Sequence, residues 1–123
     1  MANEALKEYE QSMSWYRELI DDIDKELITK LYDRMVVADV VGNAKFDANK
    51  PIDDPVREAE VIENAVRNFP IINSYPPYPI PTRILTDGEI RRFARTVISI
   101  AKSVEKRTMK RREYKRKHID NNG

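Results

Sequence analysis

Three basic side chains in the first half of the sequence have types and spacings that could bind anions. Arg34 and Lys45 are eleven residues apart, so on a helix they would share one face, roughly 16 Å apart along the axis. Arg17 lies seventeen residues before Arg34, on a face rotated by about 100° and roughly 25 Å away. One small ligand cannot contact all three within one straight helix. Arg17 therefore either serves a second molecule or has no chemical role.

The sequence allows two kinds of anionic partner for Arg34 and Lys45. Arg34 and Lys45 adjoin a stripe of apolar residues, and a cation beside a core needs an anion, from the protein or from a ligand. Within the protein the candidates are Asp33, Asp39 and Glu58. A small dicarboxylate is the alternative, since the planar guanidinium of an arginine matches a carboxylate bidentately.

The elements that must position these side chains are helices. Apolar residues recur every three or four positions and predict a first helix over about 5–48, a second over about 55–68 and a third over about 87–117. Asp54 and Pro55 suit the start of the second helix, and Thr86 with Glu89 forms a capping box before the third. Residues 69–85 contain five prolines and predict a loop. The fold class is all-α.

The length of the first helix bears on assembly. A helix of about forty residues is not stable by propensity alone and needs another helix along most of its length. The chain has 123 residues, which suits one domain over 1–123 and leaves a second copy of the chain as the simplest partner. We therefore expect a homodimer.

Composition excludes several classes of chemistry. The sequence has no cysteine and a single histidine, His118, so disulfides, thiolate chemistry and a conventional zinc site are excluded, and no metal is expected. No apolar run is long enough to span a membrane, and the N-terminal residues do not resemble a signal peptide. The cytoplasm is the expected location.

The charge is distributed unevenly. Residues 1–90 carry 10 Lys and Arg against 18 Asp and Glu, whereas residues 91–117 carry 12 against 2. A basic segment of this kind can bind nucleic acid. It contains one aromatic residue, Tyr114, and no glycine-rich or zinc motif, so a solvated helix end whose cations suit the helix dipole is favoured.

The motifs from Tyr16 to about Val61 resemble the all-helical chorismate mutase family. The pattern is R-x-x-I-x-x-I-D, an arginine ten positions after the aspartate, a lysine eleven positions later, and then P-I-x-D-P-x-R-E. The residues that carry it are Arg17, Ile20, Ile23, Asp24, Leu27, Arg34, Lys45, Pro51, Asp54, Arg57 and Glu58. Both the spacing and the residue types of this sequence agree with the family pattern at several independent positions.

The resemblance implies a fold and a reaction. Members of the family form intertwined dimers of three-helix protomers with paired first helices. They rearrange chorismate to prephenate for aromatic amino-acid biosynthesis, in an intramolecular Claisen step that uses no cofactor and no covalent intermediate. One arginine of each active site comes from the partner subunit. By this resemblance, Arg17 would act in the active site of the other subunit.

The resemblance also implies a role for each matching residue. Arg17 of the partner subunit and Arg34 would hold the two substrate carboxylates, and Lys45 would reach the ether oxygen. Glu58 would accept a hydrogen bond from the ring hydroxyl, with Asp54 and Arg57 supporting it at the helix start.

The third helix departs from the family pattern. The family shows a serine and, four residues later, a glutamine or glutamate; aligned through Phe93 and Val97, these positions are Ala101 and Glu105. Loss of the serine removes one substrate hydrogen bond, and Glu105 can donate to an ether oxygen only when it is protonated. The alternative is that Glu105 pairs with Arg91, Arg95 or Lys102 outside the site.

Three functions are compatible with these residues. Chorismate mutase is the first. An isochorismate pyruvate lyase on the same scaffold is the second, although the P-I-D-D-P-V-R-E segment favours the mutase. The third is a catalytically silent helical dimer that binds or regulates a partner through its basic tail or its proline loop.

Overall fold

The computed structural model, which describes residues 2–72 and 84–122, is built from three α-helices. They are α1, Ala2–Asp47, α2, Pro55–Ile72, and α3, Asp87–Asn122. The first helix is 46 residues long. The predicted all-α class with a very long first helix is therefore confirmed. Within the described residues, no helix is long and apolar enough to cross a membrane.

The chain divides into two compact units, residues 1–34 and residues 35–123. The first unit is helical and carries large apolar side chains that are exposed in the single chain, among them Leu19, Ile23 and Leu27. The second unit contains the last turns of α1 together with α2 and α3. Its buried residues include Ala38, Ile90, Ala94 and Ala101.

The C-terminus of α1 is closed by backbone hydrogen bonds rather than by the proline that follows. Asn49 adopts a positive φ of 54°, a conformation that asparagine tolerates better than most residues. The Lys50 N–H donates to the Lys45 carbonyl (2.8 Å) and the Asn49 N–H donates to the Phe46 carbonyl (3.2 Å). This pair of bonds satisfies the last carbonyls of the helix, and it turns the chain directly after Lys45.

Side-chain caps begin the other two helices. The Arg57 N–H donates to Asp54 Oδ1 (3.2 Å), and the Asp54 N–H donates to Glu58 Oε2 (2.9 Å). At α3 the Glu89 N–H donates to Thr86 Oγ1 (3.1 Å), and the Thr86 N–H donates to Glu89 Oε1 (2.9 Å). Both predicted N-caps are confirmed, and Glu58 is fixed at the start of α2.

The helices extend beyond the predicted boundaries. Helix α1 begins at Ala2 rather than near residue 5, and α3 continues to Asn122 rather than to about 117. Lys, Arg and Glu favour helix even where the apolar stripe fades. Helix α2 ends at Ile72 rather than Asn68, so residues 69–72 are not loop as predicted. Pro70 lacks a backbone donor and its ring disfavours the helical turn before it, and α2 ends two residues later. The rest of the predicted proline loop, residues 73–83, lies outside the described residues.

The buried face of α3 is formed by Ile90, Ala94, Ala101, Glu105 and Thr108. Phe93 lies three residues after Ile90, at a spacing typical of a core face, but its side chain is 57% exposed in the single chain. Small residues therefore occupy much of the buried face, and they allow α3 to lie close to its neighbours.

The basic end of α3 contacts the last turns of α1. Arg111 pairs with Asp39 (NH2 to Oδ1, 2.9 Å), and Arg112 donates to Asn43 Oδ1 (2.8 Å) and pairs with Asp47. The guanidinium groups of Arg112 and Arg116 also lie over the ring of Phe46. Part of the positive charge is thus neutralised within the second unit.

Candidate active site

The centre of the site is an ion pair between α1 and α3. Lys45 Nζ lies 2.6 Å from Glu105 Oε1, and the two side chains are 20% and 7% exposed. The angles at this contact do not suit a hydrogen bond, so Glu105 Oε1 is buried without a well-oriented donor. Lys45 Nζ also donates to the Ile52 carbonyl (2.8 Å). A half-buried lysine and a buried glutamate are therefore held together where α1 ends.

Gly42 allows α1 and α3 to lie close together near the Lys45–Glu105 pair. A Cβ placed on Gly42 would lie 3.2 Å from the Cα of Glu105 and 3.2 Å from the Cβ of Thr108. These distances are tighter than ordinary van der Waals contact. The absence of a side chain on Gly42 therefore lets the backbone of α3 come this close to α1, one turn before Lys45. Gly42 was not among the predicted site residues, although a glycine inside a helical pattern is a recognised sign of close packing.

Thr108 and Asp39 extend the contact between α1 and α3. Thr108 is 2% exposed, and its hydroxyl donates to Asp39 Oδ1 and to the Val104 carbonyl. Asp39 is thus engaged by Thr108 and Arg111 rather than by Lys45. Lys45 therefore pairs with an acid of the protein, as one of the two alternatives held, but the acid is Glu105 rather than Asp33, Asp39 or Glu58.

A second charged cluster lies beside this pair, at the start of α2. Lys102 Nζ lies 2.6 Å from Glu58 Oε1 and 3.1 Å from Asp53 Oδ1. Contact with Lys102 holds the pKa of both carboxyls below their ordinary values, and the N–H of Asp54 lowers that of Glu58 further. In return, Glu58 and then Asp53 raise the pKa of Lys102. Both acids are ionised acceptors at neutral pH.

The two clusters belong to one network. Asp53 follows Ile52, whose carbonyl accepts from Lys45, and Lys102 lies three residues before Glu105 on α3. The network therefore joins the end of α1, the start of α2 and the middle of α3. Glu105 pairs with Lys45, whereas Arg91 pairs with Glu63 and Lys102 pairs with Glu58 and Asp53. The predicted alternative, in which Glu105 pairs with Arg91, Arg95 or Lys102, is wrong in its partner.

Other predicted site residues have different surroundings. Ala101 is buried at 9% exposure and lies beside Lys102 on α3. The side chain of Arg57 is 62% exposed and pairs with Glu60, so only its backbone takes part in the cap. Arg17 and Arg34 are exposed and belong to the first unit. Within residues 2–72 and 84–122, no three acidic or histidine side chains are grouped so that they could hold a metal ion.

Comparison with known protein families identifies the family of the chain. A sequence model of the chorismate mutase type II family matches residues 16–106. The match covers about three quarters of the sequence and includes all eight predicted site residues. The chain belongs to the chorismate mutase type II family. Searches of curated proteins and of solved structures found no match.

Proposed function

We propose that this protein is a chorismate mutase, which rearranges chorismate to prephenate in aromatic amino-acid biosynthesis. The observation that supports this most directly is the ion pair between the half-buried Lys45 and the buried Glu105, near the ionised Glu58. In the rearrangement the ether C–O bond breaks while a C–C bond forms within the same molecule. Negative charge develops on the ether oxygen, and a fixed ammonium stabilises it.

Each residue has a defined part in this reaction. Lys45 donates to the ether oxygen, and Glu105 donates to the same oxygen when it carries a proton. Glu58 accepts the hydrogen bond of the ring hydroxyl, and Asp54 fixes Glu58 through its backbone N–H. Binding the compact conformer of the substrate supplies much of the acceleration, because the reacting atoms are then already close.

The two carboxylates of the substrate require further cations. Arg34 binds one of them and Arg17 of the partner subunit binds the other, with Arg57 supporting the start of α2. Ala101 presents a methyl group where the family has a serine, so the substrate has one donor fewer on α3. The working protein is accordingly a homodimer with shared sites.

The dimer is supported by the surface of the first unit. Large apolar side chains recur along this helix and are exposed in the single chain: Leu6, Tyr9, Trp15, Tyr16, Leu19, Ile20, Ile23, Leu27, Ile28 and Tyr32. An apolar surface of this extent is unusual on a monomer and is typical of an interface. Pairing of two first units would remove it from water.

The experiment is an assay of the purified protein with chorismate. We expect the protein to form prephenate, which is detected after acid converts it to phenylpyruvate. Lys45→Met should lose most of this activity. The same preparation is offered isochorismate. Release of pyruvate with salicylate would identify a lyase instead. A folded, dimeric protein inactive on both substrates would indicate a silent binding module, and either result would overturn the proposal.

A further inference from the structure

Lys102 belongs to no motif in the sequence, yet its ammonium group contacts the proposed substrate site. It lies on α3, directly after Ala101. Its Nζ lies 2.6 Å from Glu58 Oε1 and 3.1 Å from Asp53 Oδ1, and its side chain is 28% exposed. One partly buried cation thus connects α3 with the start of α2 and with the turn before it.

Both oxygens of Glu58 are engaged from different directions. Oε1 contacts Lys102 (2.6 Å), and Oε2 accepts from the Asp54 N–H (2.9 Å). Two contacts of this kind define both the position and the plane of the carboxylate. A carboxylate oxygen can accept more than one hydrogen bond, and the Glu58 side chain is 25% exposed. Glu58 can therefore still accept from the hydroxyl of a bound ligand.

The groups that act on the Glu58 carboxyl come from α3 and from the turn before α2. Lys102 and the Asp54 N–H lower the pKa of Glu58, whereas the carboxylate of Asp53 raises it. Lys45 of α1 and Lys106 of α3 act on Asp53 and lower its pKa, after the larger effect of Lys102. Loss of the Lys102 ammonium would leave Glu58 facing Asp53 with a weaker opposing charge.

We infer that Lys102 is a positioning residue, which holds the Glu58 carboxylate ionised and oriented to accept the ring hydroxyl of the substrate. The inference rests on the proposed function, because the role of Glu58 comes from it. Lys102 does not contact the reacting atoms. It acts through Glu58, in the way that outer partners orient the groups that bind a ligand.

A purely structural role is the alternative, and the chain offers a matched control for it. Arg91 also joins α3 to α2, through Glu63, with contacts of 2.5 and 3.4 Å. This pair likewise lowers the pKa of its glutamate, but none of the predicted site residues belongs to it. Removing Arg91 therefore reports what the loss of one α2–α3 ion pair does by itself.

The test compares Lys102→Met, Lys102→Arg and Arg91→Met with the parent. Prephenate formation is measured from pH 4 to 8, and the Glu58 carboxylate is titrated by carbon NMR. In Lys102→Met we expect kcat/KM to fall roughly tenfold or more, since a small misplacement of a binding group is costly. The acidic limb of the rate profile and the Glu58 titration should both move to higher pH. Lys102→Arg should keep most of the parent's kcat/KM. Arg91→Met should shift neither the acidic limb of the rate profile nor the titration of Glu58.

The outcomes separate two failures. If the parent is active, and Lys102→Met has the same kcat/KM, the same acidic limb and the same Glu58 titration as Arg91→Met, the inference is overturned. The proposed mutase function would then still stand. A folded parent that makes no prephenate would overturn the proposed function, and with it the substrate role of Glu58 and Lys102. Lys102→Gln, which keeps a polar side chain, serves as the charge-removing variant if the methionine variant does not fold.

Discussion

Lys45 Nζ and Glu105 Oε1 lie 2.6 Å apart, although sixty residues separate them in the chain. Both side chains are largely removed from water, and removing one member of such a pair leaves an uncompensated charge. The pair therefore ties the end of α1 to α3 and places a cation and a potential proton donor side by side.

The first prediction concerns Glu105 as a donor to the ether oxygen. Glu105 donates only when protonated, whereas a glutamine of the same shape always carries a donor. Glu105→Gln should therefore form prephenate at pH 7 at least as fast as the parent. The measurement is kcat/KM at pH 7, with Glu113→Gln, an exposed glutamate of the same helix, as control. A glutamine variant that loses the mutase rate while the control keeps it would count against this role.

The second prediction concerns the shared site. Arg17→Ala and Arg34→Ala should each be inactive, because each lacks one carboxylate-binding cation in every site. Unfolding and refolding the two variants together should recover activity, since a heterodimer contains one site with both arginines intact. The measurement is the mutase rate of the mixture beside the two variants refolded separately. If mass spectrometry shows heterodimers and no activity returns, the site is not shared.

The third prediction concerns Gly42. Gly42→Ala should destabilise the protein by about 1–3 kcal/mol, because the added methyl group meets the backbone of Glu105. The higher helix propensity of alanine offsets up to about 1 kcal/mol of this. The mutase rate should fall too, since α3 must move away from Lys45. Gly88→Ala is the matched control: its Cβ would meet only Thr86 Oγ1, at 3.9 Å, and it should be neutral or stabilising in thermal unfolding. Equal effects of the two variants would refute the close approach.

The fourth prediction concerns acid stability. Arg91 holds the pKa of Glu63 below its ordinary value, so the ion pair stabilises the folded state above the unfolded pKa of about 4.3. That contribution is lost as pH falls through the lower pKa of the folded state. The Tm difference between the parent and Arg91→Met should therefore be small but measurable at pH 7 and should shrink toward pH 3. Arg95→Met, at an exposed position of the same helix, is the control. A difference that stays constant with pH would show that Glu63 is not the titrating partner.

The sequence by itself determined the local features of this protein. Apolar spacing determined three helices, and the caps at Asp54 and Thr86 were correctly predicted. These features depend on groups within about four residues of one another, so the sequence displays them directly. The family also followed from the sequence, because its motifs from Arg17 to Glu58 are fixed spacings of chemically distinct residues.

The tertiary structure decided which distant groups meet. Glu105 had several cations within reach on its own helix, and it pairs instead with Lys45 because Gly42 lets α3 approach α1 at that height. Lys102, one of those candidates, pairs with Glu58 and Asp53, and Phe93 is exposed although its spacing suggested burial. Such choices depend on how the helices rotate and how closely they pack. Rotation and distance are set by side chains from separate helices acting together, and no short stretch of sequence contains them.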